Sequence, residues 1–332
     1  MLKVLRGGQL ASVQDGGRPG LQALGVTPGG ALDLVALRVG NWLVGNAGTL
    51  AAIEMTWAGL QVSFTADTLI ALTGAVAPVT CDEVPVPFRR PVWVRQGAVL
   101  RMGQVRDGAR VYLCVQGGIL TPAVLAGQGT DLRNRFGGHQ GRALRAGDTL
   151  ALAPQQERYP RLRARLQCTG AGLVSPSWEV SLWRDDAAPG GTPIRLLAGP
   201  HQSGLGRAGL RALHSARFRV QPQSDRQALR LQGVALRAQH EPLRSAGVCF
   251  GVLQLPPDGH PILLLADHQT TGGYPVIGVA ASVERSRLAQ LRPGDDLSFV
   301  PCGLDEAHLL LREREQRLGV MRDELAWRAE HD

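Results

Sequence analysis

Eight consecutive positions, Asp267 to Tyr274, read "DHQTTGGY" and present a carboxylate, an imidazole, an amide, two hydroxyls, two glycines and a phenol. A hairpin turn needs only a few residues that tolerate its backbone, with glycine where φ is positive. Gly272, Gly273 and Asp267 suit such a turn; His268, Gln269, Thr270, Thr271 and Tyr274 are surplus to it. Side chains of these types, so close together, can donate to a carbonyl, an oxyanion or a phosphoryl oxygen. A nucleotide cradle would need a strand, a glycine-rich turn and then a helix. The segment that follows, "PVIGVAAS", reads instead as a second strand, and no GKS, GKT or GxGxxG lies nearby. The loop alone therefore does not hold ATP.

Two further constellations compete with it. "SVQDGGRPG" places Gln14, Asp15 and Arg18 on a Gly/Pro-rich loop. The guanidinium fork of Arg18 suits a carboxylate or phosphoryl group, with an internal Asp15–Arg18 turn pair as the plainer alternative. "TDLRNRFGGHQGR" gathers Asp131, Arg133, Arg135, His139 and Arg142, which suits an anion site or a merely solvated loop. The eight histidines form no HxxxH or HxH pair, which argues against a metal site, and no GxSxG elbow occurs. Asp225 and Arg226 stand at a strand entrance, where a structural ion pair is expected.

The elements that must position these groups are mostly strands. "LQVSFTA", "TLIALTG", "PVWVRQ", "ARVYLCVQGG", "PIRLLAG", "ARFRVQP", "QALRLQG", "VCFGVLQL", "PILLLAD" and "PVIGVAAS" are short apolar runs bounded by turn formers. Helices are predicted over "GALDLVALRVGNWLVGN", with Asp33 in its first turn and Gly45 as its stop, over "ERSRLAQL", and over the charged tail, where Leu309, Leu318 and Leu325 form a docking face. "RAGDTLAL" and "RPGDDLSFV" repeat one pattern, a tight turn feeding an alternating strand. They are read as the closing strands of two β units, 1–153 and 193–303. Residues 154–192 form a linker region containing "PQQERYPRLRAR" and "RDDAAPGGTP", and 304–332 form a C-terminal helix.

Composition agrees with a β-rich body. The 332 residues are 44% hydrophobic, enough for a large core, and include 42 Gly and 21 Pro. No secretion signal opens the chain, and no apolar run approaches membrane-spanning length. Five scattered cysteines without a CxxC pair suit reduced thiols in a cytoplasm. The net charge of +8 comes from arginines spread over the chain, Lys3 being the only lysine, without the interleaved aromatics that stack bases. Nucleic acid is not the expected partner.

Together, "SVQDGGRPG…LGVTPGGALD…ALRVGNWLVGN", "ARVYLCVQGGI", "TDLRNRFGGHQGRALRAGD", "SDRQALRLQG" and "GVLQLPPDGHPILLLADHQTTGGYPVIGVAASVERSRLAQLRPGD" resemble the biotin-dependent carboxyltransferase family, also called the allophanate hydrolase subunit 2 family. The resemblance covers residues 2 to about 302. It implies a mainly β fold of two cyclophilin-like β-barrel units with a few short helices and a C-terminal helix. Family members include the C subunit of the ATP-dependent 5-oxoprolinase, the antagonist of a sporulation-kinase inhibitor, and half of the carboxyltransferase part of urea carboxylase. The first of these implies part of a hydrolase, inactive alone, that works with two partners, the A subunit, and the B subunit, which is kinase-inhibitor-like. ATP would be bound with or by one of those partners. The second implies a regulatory module, and the third implies transfer from carboxybiotin on a separate carrier. Under the first reading Asp267, Gln269, Thr270 and Asp15 are the catalytic candidates. Gln14, Arg18, His268, Thr271, Gly272, Gly273, Tyr274, Gln254 and His139 are the substrate-binding candidates, with no metal. The chain departs from the family pattern at Gln227-Ala228 (usually Met-Gly), Gly129 (Ser), Ala246 (Glu) and Leu21 (Tyr), and "GPHQSGLGRAGLRAL" lacks the usual aromatics.

Overall fold

The computed structural model describes residues 1–154, 158–168, 173–181, 193–240 and 242–331. The protein is mainly β, with a few short helices and one long C-terminal helix. Its described residues form two units. One takes Met1–Gly17, Asp33–Leu182 and Arg317–Asp332, the other Arg18–Leu32 and Trp183–Gln316.

In the first unit, strands fall into a seven-stranded and a six-stranded sheet. Leu2–Gly7 belongs to the larger sheet, beside Leu60–Phe64; Leu10–Gln14 belongs to the smaller one, beside Ala52–Thr56. The chain changes sheets at Gly8, whose φ is +70° and where a Cβ would meet the Ala58 carbonyl oxygen at 2.3 Å. Only glycine fits both conditions. Apolar residues alternate inward from both sheets, so that Leu2, Val4, Val62 and Leu100 share one core with Val13, Ile53, Leu72 and Val111. The predicted first helix forms over Leu34–Leu43. Asp33 caps it by accepting the Ala36 N–H at 3.0 Å, and the chain leaves the helix at Gly45, with φ +76°.

The second unit closes on itself. Its eight-stranded sheet begins with Asp296–Leu297, beside Phe218–Val220, and ends with Phe299–Pro301, parallel to Ile194–Ala198. Only Ser298 separates those two outermost strands, so one continuous stretch of chain serves both edges and leaves a nearly closed barrel. Leu196, Phe218, Leu229, Leu253, Leu263, Ile277 and Phe299 fill it, joined by Leu32 from the N-terminal segment.

The two "GD" turns adopt one geometry. Gly147 and Gly294 have φ of +93° and +92°. Asp148 and Asp295 each accept the N–H of the arginine three residues earlier, Arg145 and Arg292, at 2.8 Å. Each turn then exchanges two backbone bonds with a neighbouring strand residue, Val4 in one unit and Val220 in the other.

Two helices went unpredicted. Pro160–Cys168 lies in the stretch read as linker and buries Leu162 and Leu166; Gly206–Ser215 carries two glycines that mask its helical period. "RDDAAPGGT" lies outside the described residues. The C-terminal helix runs Leu304–His331 and divides its supposed docking face, because Leu318 and Leu325 are buried and Leu309 is exposed. No helix among the described residues is long and apolar enough to cross a membrane.

Candidate functional site

The loop from Leu265 to Pro275 is not a hairpin turn. The strands it joins, Ile262–Leu264 and Val276–Ala280, are not neighbours; Val252–Gln254 lies between them and pairs with both. The Gly251 N–H donates to Leu264 O, whereas Gln254 stands opposite Val276. The loop must therefore travel the length of the intervening strand before the chain rejoins the sheet. That excursion accounts for the polar residues that a turn did not need.

Its start is anchored by charge. Arg226 donates from Nε to Asp267 Oδ2 at 2.8 Å and from Nη2 to Asp267 Oδ1 at 3.0 Å, and Nη2 also reaches the Gly30 carbonyl at 2.6 Å. Both partners are nearly buried, and a bidentate pair there is geometrically specific. The pair expected of Arg226 thus forms with a residue 41 positions away, not with Asp225. Arg285, stacked on Phe250 at 4.5 Å, holds the carbonyls of Leu32 and Ala31 at 3.1 and 2.9 Å. The two arginines fix the segment carrying Arg18, which is fully buried, and a Cβ at Gly29 would lie 3.6 Å from Arg18 Nη1 and 3.8 Å from Asp267 Oδ1. Arg285 was not singled out in the sequence, and Arg226 only as half of a structural ion pair.

The middle of the loop is amide chemistry. Gln227 Nε2 donates to Gln269 Oε1 at 3.4 Å, and Gln269 Nε2 donates to Gln254 Oε1 at 3.3 Å. Gln254 is 2% exposed, and its Nε2 has no hydrogen-bond partner. Gly272 rests on that nitrogen. Thr271–Gly272 forms a two-residue ladder with Ala246–Gly247, and the Val248 N–H donates to Thr270 O at 3.1 Å. His268 is buried, donates from Nδ1 to the Gln269 carbonyl, and burial lowers its pKa below 6.5, so its ring is neutral at pH 7. Thr271, Gly273 and Tyr274 are exposed. Two departures from the family pattern, Gln227 and Ala246, thus touch this loop directly.

The first unit has its own polar corner. Gln14 is fully buried and donates from Nε2 to Ser12 Oγ at 3.0 Å and Thr130 O at 3.1 Å, while its Oε1 has no partner. Asp15 accepts the N–H groups of Gly17 at 2.9 Å and Gln128 at 2.6 Å. A Cβ on Gly129 would come within 2.8 Å of Asp15 Oδ1 and 3.0 Å of Gln14 Oε1, so the bare glycine permits this corner. His139 lies elsewhere in the unit. Its Nε2 is 3.3 Å from Asp148, whose carboxylate takes both Arg142 nitrogens at 2.8 Å and is held down to about pKa 2, chiefly by that hydrogen bonding. His139 thus belongs to the support of the "RAGD" turn. Among the described residues, no three His, Cys, Asp or Glu side chains are grouped to hold a metal ion.

Residues 24–301 match the family described as carboxyltransferase domain, subdomain A and B. The chain is 37% identical to the C subunit of 5-oxoprolinase from Escherichia coli, over 100% of both chains. It is 36% identical to the protein of the same name from Haemophilus influenzae, over 97% of this chain and 98% of that one. The crystal structure of the K. lactis urea amidolyase superposes with a TM-score of 0.83 at 27% identity, over 96% of this chain but only 20% of that much longer one.

Proposed function

Because the chain belongs to the carboxyltransferase family of subdomains A and B, we propose that it is the C subunit of a cytoplasmic, ATP-dependent 5-oxoprolinase. It works with homologues of the A and B subunits to open 5-oxo-L-proline to L-glutamate. The observation that carries this reading is the end-to-end likeness to two proteins named as the C subunit of 5-oxoprolinase. The chemistry is compatible. A lactam is a resonance-stabilised amide, and opening it requires donors for charge developing on its oxygen. Gln269, the Thr270 hydroxyl and the backbone near Gly272-Gly273 supply donors on one loop.

The carboxylates have other duties. Both oxygens of Asp267 are engaged by Arg226, and both oxygens of Asp15 by backbone N–H groups. These two acids anchor the site more readily than they abstract a proton. The loop does not fit an ATP cradle either, because its glycines lead into the strand Val276–Ala280 and not into a helix. ATP would then be bound with or by a partner protein.

The test is reconstitution. The purified chain with ATP and 5-oxo-L-proline is expected to show no turnover, and turnover is expected once the cognate A and B subunits join it. Turnover by the chain alone, or none with all three, would overturn the proposal. The likeness to urea amidolyase favours a second reading, transfer of a carboxyl group from carboxybiotin to an amide or urea. Lys3 is the only lysine, so the biotin would ride on another protein.

A further inference from the structure

The loop that carries the proposed site also hides a donor. Gln254 ends the strand Val252–Gln254, is 2% exposed, and leaves Nε2 without a partner. A buried amide N–H₂ seldom stays unmatched, because its lost hydration is not recovered. The Gln254 amide lies against Gly272. A Cβ there would stand 2.3 Å from Gln254 Nε2, so a larger residue would have to displace the amide. The remaining atom of the carboxamide, Oε1, accepts the Gln269 amide at 3.3 Å, and Gln269 in turn accepts Gln227 at 3.4 Å. Both bonds are long for amides. Apart from them and the His268 Nδ1 bond to the Gln269 carbonyl, the cover is held by the two-residue ladder to Ala246–Gly247 and the Val248 bond, with Thr271, Gly273 and Tyr274 in solvent.

We propose that Gln254 Nε2 is a substrate donor, that Gln269–Gly273 is the cover that lifts from it, and that the group admitted is a neutral planar carbonyl: a lactam, an amide or a urea. This rests on the reading of the loop as the substrate site. The neighbours named around Gln254 are amides and glycine, while the nearby cation Arg226 is occupied by Asp267 and Gly30. A carboxylate placed against Gln254 would be stripped of water against a single neutral donor, whereas an amide oxygen needs only the one donor. The amide row from Gln227 through Gln269 aligns its dipoles toward that donor, and removal of the glycine exposes it.

Three measurements test this. In hydrogen exchange on the full chain, the Val248 N–H, bonded to the loop, should exchange at least about a hundredfold faster than the Gly251 N–H, bonded within the barrel sheet. Equal protection would mean that the cover does not lift, and the proposal would fall. Gln254→Met keeps the length of the side chain and removes its amide. Its melting temperature is expected to equal or exceed that of the parent, and a fall of several degrees would make the amide a structural one. In the complex with the A and B subunits, 5-oxo-L-proline and urea should be titrated against both proteins, with L-proline, which lacks the ring carbonyl, as control. The expected result is carbonyl-dependent binding weakened tenfold or more by Gln254→Met. Unchanged binding would overturn the role of Gln254 and leave the oxoprolinase reading standing. Urea binding that depends on Gln254, without 5-oxo-L-proline turnover, would sink the oxoprolinase reading and leave the role of Gln254 standing.

Discussion

Gln14 and Gln254 occupy comparable places in the two units. Each ends a strand, each is buried, each packs against a glycine, and each leaves one amide atom without a partner. The difference lies in what holds them. Two bonds of 3.0 and 3.1 Å fix Gln14 from its own nitrogen, and its neighbour Asp15 is clamped by two backbone N–H groups. Gln254 receives one bond, 3.3 Å long, from a loop residue that is itself loosely held. The first corner is built to keep its shape. The second is held more loosely.

The largest effect expected from this contrast concerns the ion pairs behind each corner. Arg226 and Asp267 are 5% and 12% exposed, and removing one partner of such a pair strands the other, at about 3–5 kcal/mol. Arg142 and Asp148 are 25% and 10% exposed, and Asp148 keeps its bond from the Arg145 N–H when Arg142 is lost. Arg142→Ala should cost about 1–2 kcal/mol. Urea unfolding of Arg226→Ala and Arg142→Ala measures both values. Equal costs would remove the distinction between the units.

Next come the loop variants. Gln269→Ala and Thr270→Ala should assemble with the partner proteins normally and melt near the parent temperature. Loss of a donor at the reacting oxygen removes roughly 2–4 kcal/mol of transition-state stabilisation, a thirty- to several-hundred-fold loss of turnover. Full activity in both variants would take the proposed site off this loop.

Strand content, the first helix and the paired "GD" turns were all legible, because each depends on residues within one turn of chain, whereas Asp33, expected in the helix's first turn, stands one position earlier as its cap. What the loop does was only half legible. Its surplus of polar side chains could be counted in the sequence, but that it crosses a whole strand depends on Val252–Gln254 inserting between strands that follow one another. Gln254 entered as a substrate-binding candidate, but its burial against Gly272, 18 positions away, has no local mark in the sequence. The Arg226–Asp267 pair spans 41 positions, and no local pattern marks such a partner. His139 was read as a ligand group because a polar loop and an anchored turn have the same composition.

Gln14→Leu comes third in size. It discards two donated bonds and leaves the Thr130 carbonyl buried without one of its donors, so about 1–3 kcal/mol should be lost. Gln254→Met should lose nothing. That opposition, read by thermal melting of the two variants side by side, separates the fixed amide from the replaceable one. Similar losses would mean that both glutamines are structural.

The smallest effect is a titration that tells the units apart. Burial lowers the His268 pKa below 6.5, so the folded chain resists a proton that the unfolded chain accepts. Its contribution to stability is present above about pH 6.5 and is lost as the pH falls below that value. Asp148 works lower down. Its carboxyl is held at about 2, against 3.8, mainly by hydrogen bonding from Arg142, so its contribution persists through mild acid and is lost only as the pH falls from about 4 toward 2. The second unit should therefore weaken first on acidification, by one proton's worth, and the first unit later. His268→Gln cannot titrate and should flatten the fall in melting temperature between about pH 7 and 5 without altering the steeper loss below about pH 4. Arg142→Ala should do the reverse. If His268→Gln leaves the upper limb unchanged, the proton is taken up elsewhere, and His268 is only a packed ring beneath the loop.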